Sequence, residues 1–165
     1  MVHTERITTE ITEPITVFLI GMRVNKLLPF SKWWKVAMAM PPMIASLMKH
    51  PEKGMLHAES FFRFGPMTTI MVSYWKSPEH LENFARNPSD PHFQAWQDFY
   101  KLVGTDGSVG IWHETYVIEP GRVECVYANM PMFGLLGATK NAIPAKGHRS
   151  TFRKRLQGKE AVTGH

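Results

Sequence analysis

The stretch Val109–Pro131, VGIWHETYVIEPGRVECVYANMP, decides how the rest of the chain is read. Its β-branched and aromatic residues, divided by Pro120-Gly121, have the pattern of two strands joined by a tight turn. The first of these strands carries Trp112, His113, Glu114 and Tyr116 in close succession. Successive side chains of a strand point to opposite faces of its sheet. His113 therefore shares a face with Val109, Ile111, Thr115 and Val117, while Trp112, Glu114 and Tyr116 lie on the other. The two sets cannot line one pocket.

Working outward, Ile15–Asn25 (ITVFLIGMRVN) reads as a strand that is apolar on both faces, which implies cover on both sides. Phe30–Met40 reads as a helix with Ser31 as its N-cap, and Pro41-Pro42 interrupts it before a second helix over Met43–His50. Met55–Phe64 and Met67–Trp75 form a hairpin about Gly65-Pro66. Ser77-Pro78 opens a helix whose inward stripe is Leu81, Phe84 and Ala85, and Asp90-Pro91 opens another carrying Phe93, Trp96, Phe99, Tyr100 and Val103. The order predicts an α+β fold, a ferredoxin-like βαββαβ unit with an extra C-terminal strand over Arg122–Met130. The face opposite the helices is assigned Trp112, Tyr116, Phe61 and Met71, too much apolar surface to leave in water. Two such sheets packed as a homodimer would close a dimeric α+β barrel. The expected division is an N-terminal arm over 1–14, the domain over 15–136, and a basic tail over 137–165, with the chain from about Phe133 read as a wrapping arm followed by a mobile tail.

Composition narrows the function classes. The chain has 165 residues, 44% of them hydrophobic, and one cysteine, Cys125, so there is no disulfide framework and a cytoplasmic setting is expected. Residues 1–139 hold 12 Lys and Arg against 13 Asp and Glu, whereas residues 140–165 hold 7 against one. The basic surplus belongs to the tail, so nucleic-acid binding by the domain is not expected. The N-terminus lacks an apolar signal-peptide core. The most apolar helical stretch, Val36–Met48, is shorter than the ~20 residues that span a bilayer. The Met-rich segment Ala37–Met48 fits a cover for the sheet or an adaptable lid over a bulky ligand. It also allows a peripheral membrane contact, with Trp33 and Trp34 at the interface and Lys32 and Lys35 at the headgroups.

The segment YWKSPEHLENFARNPSDPHFQAW resembles the signature of the antibiotic-biosynthesis monooxygenase (ABM) superfamily of dimeric α+β barrels. There a strand ending in an aromatic pair runs into Ser-x-x-x-Leu-x-x-Phe and then a Pro-His segment. With NKLLPFSKWWKVAMAMPP, VGIWHETYVIEPG and VYANMPMFGL, the chain from Ile15 to Leu136 looks like the fumagillin-pathway-type monooxygenase branch. The resemblance implies a fold that hosts cofactor-free oxygenases, haem-degrading enzymes, haem dehydratases, muconolactone-type isomerases and ligand-binding regulators.

Each candidate residue carries a second reading. His113 is a base beside a carboxylate, or a histidine bonded within the core. Glu114 needs a partner or a raised pKa, and Arg23 and Arg63 are structural partners for it. Tyr116 and Asn129 are donors that can hold an anion. His57 and Glu59 alternate with Phe61 and can meet Glu114 inside a barrel. Trp75, Trp96 and Trp112 are pocket walls for a planar ligand or core residues. His92 lies near the axial position that the resemblance implies for haem, although Trp96 lies nearer, and it also fits a capping or core role. No metal-ligand spacing, nucleotide loop or serine elbow occurs.

The leading expectation is a monooxygenase that oxidises a small apolar organic molecule with dioxygen, with His113, Glu114 and Tyr116 as catalytic groups. His57, Glu59, Trp75, Trp96, Trp112 and Asn129 would bind substrate, and neither flavin nor metal is expected. The alternatives are haem held by His92 or His113, and a non-enzymatic ligand-binding dimer. Of the two faces, the barrel side with Glu114 looks better placed for a ligand, while His113 is the better base.

Overall fold

In the computed structural model, residues 1–89 and 91–157 are described, Pro91, His92 and Gln157 by backbone alone. The strands are β1 (Ile7–Thr8), β2 (Ile15–Val24), β3 (Met55–Arg63), β4 (Thr68–Trp75), β5 (Val109–Ile118) and β6 (Ile143–Pro144). The helices are α1 (Phe30–Met38), α2 (Met40–Lys49), α3 (Pro78–Arg86), α4 (Pro91–Leu102), α5 (Gly134–Thr139) and α6 (Phe152–Gln157). The main sheet has the order β3-β4-β2-β5 and every pairing in it is antiparallel. With α1–α2 between β2 and β3 and α3–α4 between β4 and β5, this is the ferredoxin-like βαββαβ arrangement.

Two clusters pack the helices onto one face of the sheet. Met22, Val24, Val103 and Val109 form the first, with Trp33, Val36 and Phe99 against them. Leu47, Trp75, Leu81 and Phe84 form the second. At the start of α3, Ser77 accepts from the His80 backbone N–H at 3.4 Å and Pro78 occupies the first turn, as its sequence signature requires. The first helical pair departs from expectation. Pro29, not Ser31, stands at the start of α1, and no side chain caps it. Pro41 and Pro42 sit in the first turn of α2 instead of separating two helices. A helix's first turn has no use for those N–H groups, so proline is tolerated there.

Met71, expected on the face away from the helices, is buried and pairs with Ile20 on the helix side. The strand expected over Arg122–Met130 is also not a member of the sheet. After Gly121 the chain runs extended, and Tyr127 exchanges two backbone hydrogen bonds with Ile7, at 2.8 and 2.9 Å. The N-terminal arm supplies that partner strand, bonding through His3 to Met130 and through β1 to β6.

Residues 134–157, assigned to the end of the domain and a tail, fold back onto the body. Gly137 of α5 sits so close to His57 on β3 that an added Cβ would lie 2.5 Å from Nε2. Burial pushes the Tyr127 phenol under this arm up to about 12. Part of the basic surplus is used internally, since Arg149 bonds Glu10 and Arg155 Nε bonds Glu124 at 2.5 Å. Arg155 is 7% exposed and also donates to the Arg149 carbonyl at 3.1 Å. Arg155→Ala leaves Glu124 half-enclosed without its cation. It is expected to lower unfolding free energy by about 3 kcal/mol, read as a fall in urea midpoint at constant slope.

Candidate active site

Between the sheet and its helices lies a cavity of about 1220 Å³. That exceeds the ~300–1,000 Å³ typical of small-molecule pockets, so the space suits a bulky ligand. Its floor is the helix-side face of β2 and β5, with Phe18, Ile20, Met22, Ile111, His113 and Thr115. Trp34, Met38 and Met43 close it from α1–α2, and Leu81, Phe93, Trp96 and Phe99 from α3–α4. Charged groups enter only from the helices, through Lys35, Glu82, Arg86, Asp98 and Lys101. Of these, Arg86 and Glu82 pair with each other at 2.9 Å and are largely exposed.

His113 is the chemically distinctive group on the floor. It stands opposite Ile20 in the β2–β5 pairing, and its ring centroid is 5.7 Å from that of Phe18, tilted by 42°. Among the described residues its ring nitrogens have no hydrogen-bond partner. The imidazole is thus presented to the open side of the cavity with its bonding capacity unspent, beside the Thr115 hydroxyl two residues along the strand, and both residues are solvent-exposed. Trp96 is the other expected site residue on the wall, its ring 5.8 Å from Phe99 and 5.2 Å from Tyr100.

The remaining expected site residues lie elsewhere. Glu114 projects from the opposite face, paired with Leu19, and accepts a hydrogen bond from the Tyr116 hydroxyl. That contact raises the Tyr116 phenol above its ordinary value. Trp112 covers Gly21 on the same face, where a Cβ would come within 2.6 Å of the indole Nε1. His57 Nε2 donates to Glu59 Oε1 at 2.7 Å, also on that face, against α5. Glu59 and Glu114 stand on β3 and β5 with β4 and β2 between them, roughly 14 Å of sheet, and do not meet. Among the described residues, Glu114's polar partner is Tyr116, not Arg23 or Arg63.

Trp75 is 1% exposed, and its indole N–H donates to Ser73 Oγ at 2.9 Å, so it belongs to the core. Asn129 adopts a left-handed backbone (φ 54°) beside the His3–Met130 bridge, away from the cavity. The side chain of His92 lies outside the described residues. Alternation separated the two sets, and in the single chain the helices leave a half-open cavity on the face that carries His113.

Phe18, Ile20, Trp34 and Thr115 line the cavity without having been picked out as site residues. Two signals pointed to them, the shared parity with His113 along paired strands and the Met-rich stretch that forms the roof. Among the described residues no cluster of three or more His, Cys, Asp or Glu is arranged to hold a metal ion.

An antiparallel β3-β4-β2-β5 sheet, α1–α4 on one face and a wide, half-open apolar cavity between them define a ferredoxin-like α+β domain with a candidate site. The chain belongs to the Monooxygenase af470-like family, whose model matches residues 15–135. No curated protein sequence matches it. Among solved structures it is similar to an aldoxime dehydratase (OxdRE) in complex with butyraldoxime, at 14% identity and a TM-score of 0.65 over 86% of this chain. This chain spans only 41% of that enzyme's length, and the likeness concerns fold alone. SnoaB, a cofactor-independent oxygenase from Streptomyces nogalater, is similar at 12% identity and a TM-score of 0.42, over 62% of this chain and 90% of its own. A dimeric protein of ferredoxin-like fold from Bacteroides fragilis is similar at 10% identity and a TM-score of 0.45, over 64% of this chain and 95% of its own.

Proposed function

We propose that this protein is a monooxygenase that oxidises an apolar carbon acid with dioxygen in the His113 cavity. Membership of a monooxygenase family supports the reaction class, and one observation carries the site: an unpartnered imidazole on the floor of a large apolar cavity. The neutral ring accepts a proton from an activated CH₂ of the substrate, leaving an electron-rich anion. Phe18, Ile20, Met22 and the roof flank the anion with apolar surface, which disfavours its reprotonation while it meets dioxygen. A C–O bond forms to give a peroxide, and the imidazolium returns its proton to it. Loss of water then leaves a carbonyl, so that R₂CH₂ and O₂ become R₂C=O and H₂O. The substrate supplies every electron, and the reading therefore needs neither flavin nor metal.

Thr115 is the hydroxyl placed to bond the developing anion, and Trp34 and Trp96 offer flat walls to fused rings. Glu114 and Tyr116 have no part in this scheme. The test is oxygen uptake with anthrone, an apolar fused-ring carbon acid, followed by mass analysis of the product formed under labelled dioxygen. One labelled oxygen in the product is expected. Lack of turnover of anthrone and of a panel of similar carbon acids would remove the proposal.

The same unpartnered imidazole favours a second reading, in which His113 would hold haem in the cavity. The residues present fit the group, with apolar walls for the ring and Lys35, Arg86 and Lys101 as cations for its acid groups. Bound haem would supply an iron centre whose behaviour the polarity and access of the pocket control. In this reading, haemin titrated into the protein gives a Soret band that His113→Ala abolishes. A titration that is featureless, or unaltered by that substitution, rejects it.

A further inference from the structure

The end of the sheet that carries the β3–β4 turn exposes a set of large apolar side chains unlike the rest of the surface. Leu27, Leu28 and Phe64 are 64%, 80% and 85% exposed, and Phe30, Trp34 and Phe62 are about half exposed. They come from the loop after β2, the start of α1 and the β3–β4 turn. A backbone hydrogen bond from Val24 N to Met67 O, 2.9 Å, holds these segments together at one end of the sheet. Phe62 and Phe64 contact edge to face at 4.7 Å, and Phe30 stacks on Trp34 at 5.5 Å. Contiguous exposed apolar surface of this kind marks an interaction site.

Charge indicates what covers it. Arg23 and Arg63 both align with Thr68 at this end of the sheet, Lys26 follows β2, and Lys32 lies on α1. The loop over residues 103–108, at the same end, brings one carboxylate, Asp106, which is bonded to Lys32. Four cations and one acid thus lie at this end of the sheet. A second copy docked here about a twofold axis would set those cations against themselves, which like-charge repulsion opposes. An anionic lipid surface accepts both features, with headgroups meeting the cations and aromatic and aliphatic side chains entering the boundary below. The described helices include none long and apolar enough to cross a membrane, so the contact is peripheral.

We propose that this end of the sheet docks onto an anionic membrane surface, with Leu27, Leu28 and Phe64 inserted and Arg23, Lys26 and Arg63 at the headgroups. Trp34 and Met38 belong to both the exposed rim and the cavity wall, so the docked protein holds its cavity beside the lipid. The docking does not depend on the oxygenase reading, because it is measured without turnover.

The experiment is flotation of the full chain with phosphatidylcholine vesicles, with and without phosphatidylserine. Retention on the phosphatidylserine vesicles is expected, weakening as salt rises from ~0.1 to ~1 M. The triple substitution Leu27→Ser, Leu28→Ser, Phe64→Ser is expected to lower the partition by about tenfold or more, as loss of three inserted side chains requires. Arg23→Gln with Arg63→Gln is expected to remove the preference for phosphatidylserine. In the unaltered chain, brominated lipids should quench tryptophan fluorescence, a readout independent of how the variants fold. Absence of retention and quenching overturns the proposal, as does retention unaffected by the triple substitution, which would assign binding to the basic C-terminal segment. A solution mass that halves in the triple variant, without vesicle binding by the unaltered chain, would make the patch a contact between copies and also overturn it.

Discussion

His113→Phe is expected to lower turnover of a carbon-acid substrate by about 10²–10⁴-fold, the range that general-base catalysis contributes. Phenylalanine keeps the ring's bulk and its contact with Phe18 while removing both nitrogens. Because the imidazole makes no hydrogen bond to the described residues, stability should change by no more than about 0.5 kcal/mol. Loss of activity with an unchanged melting curve is therefore the signature. Glu114→Gln is the matching control, since Glu114 lies on the other face with Tyr116 and should leave turnover within about threefold. Steady-state oxygen uptake by both variants decides the matter. Equal activity in His113→Phe and the parent would end the assignment, and a large loss in Glu114→Gln would move the chemistry to the opposite face.

Trp75→Ala is expected to destabilise the protein by about 3–5 kcal/mol, the cost of removing a fully buried aromatic side chain from a packed core. Its ring packs with Leu47, Leu81 and Phe84, and lies 5.7 Å from the Phe84 ring. The substitution also removes the indole donor that bonds Ser73 Oγ, a group that itself donates to the Phe18 carbonyl at 3.1 Å. Against a total stability of about 5–15 kcal/mol, the variant would be barely folded at 37 °C. Urea unfolding measures the loss directly, and Trp75→Phe should recover part of it. A Trp75 that walled the substrate would behave differently, raising KM while leaving the urea midpoint in place.

The substitutions in His113 and Trp75 share a physical theme. Both residues project from the helix side of the sheet, on neighbouring parts of the β2–β4–β5 surface, yet one meets a half-open cavity and the other meets solid packing. The difference comes from what covers each strand. Trp75 lies under α3 and the end of α2, where Leu47, Leu81 and Phe84 fill the volume. His113 lies on β5, the edge strand, where α1, α3 and α4 stand back and leave the cavity.

Much of the architecture was legible in the residues. β-branched runs bounded by Gly and Pro located the four main strands, and Ser77-Pro78 located the start of α3, because these signals act through local backbone geometry. Alternation along Val109–Ile118 likewise separated His113 from Trp112, Glu114 and Tyr116 before any tertiary contact was considered. Arg122–Met130 misled because its β-branched pattern is real and its partner is distant. The chain there is extended, but it bonds Ile7 and His3 across more than a hundred residues of sequence. The chain from about Phe133 reads as a wrapping arm with a mobile tail, but its partners are also distant in sequence, Arg149 meeting Glu10 and Arg155 meeting Glu124.

In VGIWHETYVIEPGRVECVYANMP, then, the sequence by itself determined that the imidazole and the carboxylate point apart. It did so because side-chain direction in a strand has a period of two and needs no partner to express it. Only the tertiary structure decided which direction leads to the cavity. The cavity's volume depends on how far α1, α3 and α4 stand from the sheet, and that distance is set by side chains remote from His113 in sequence.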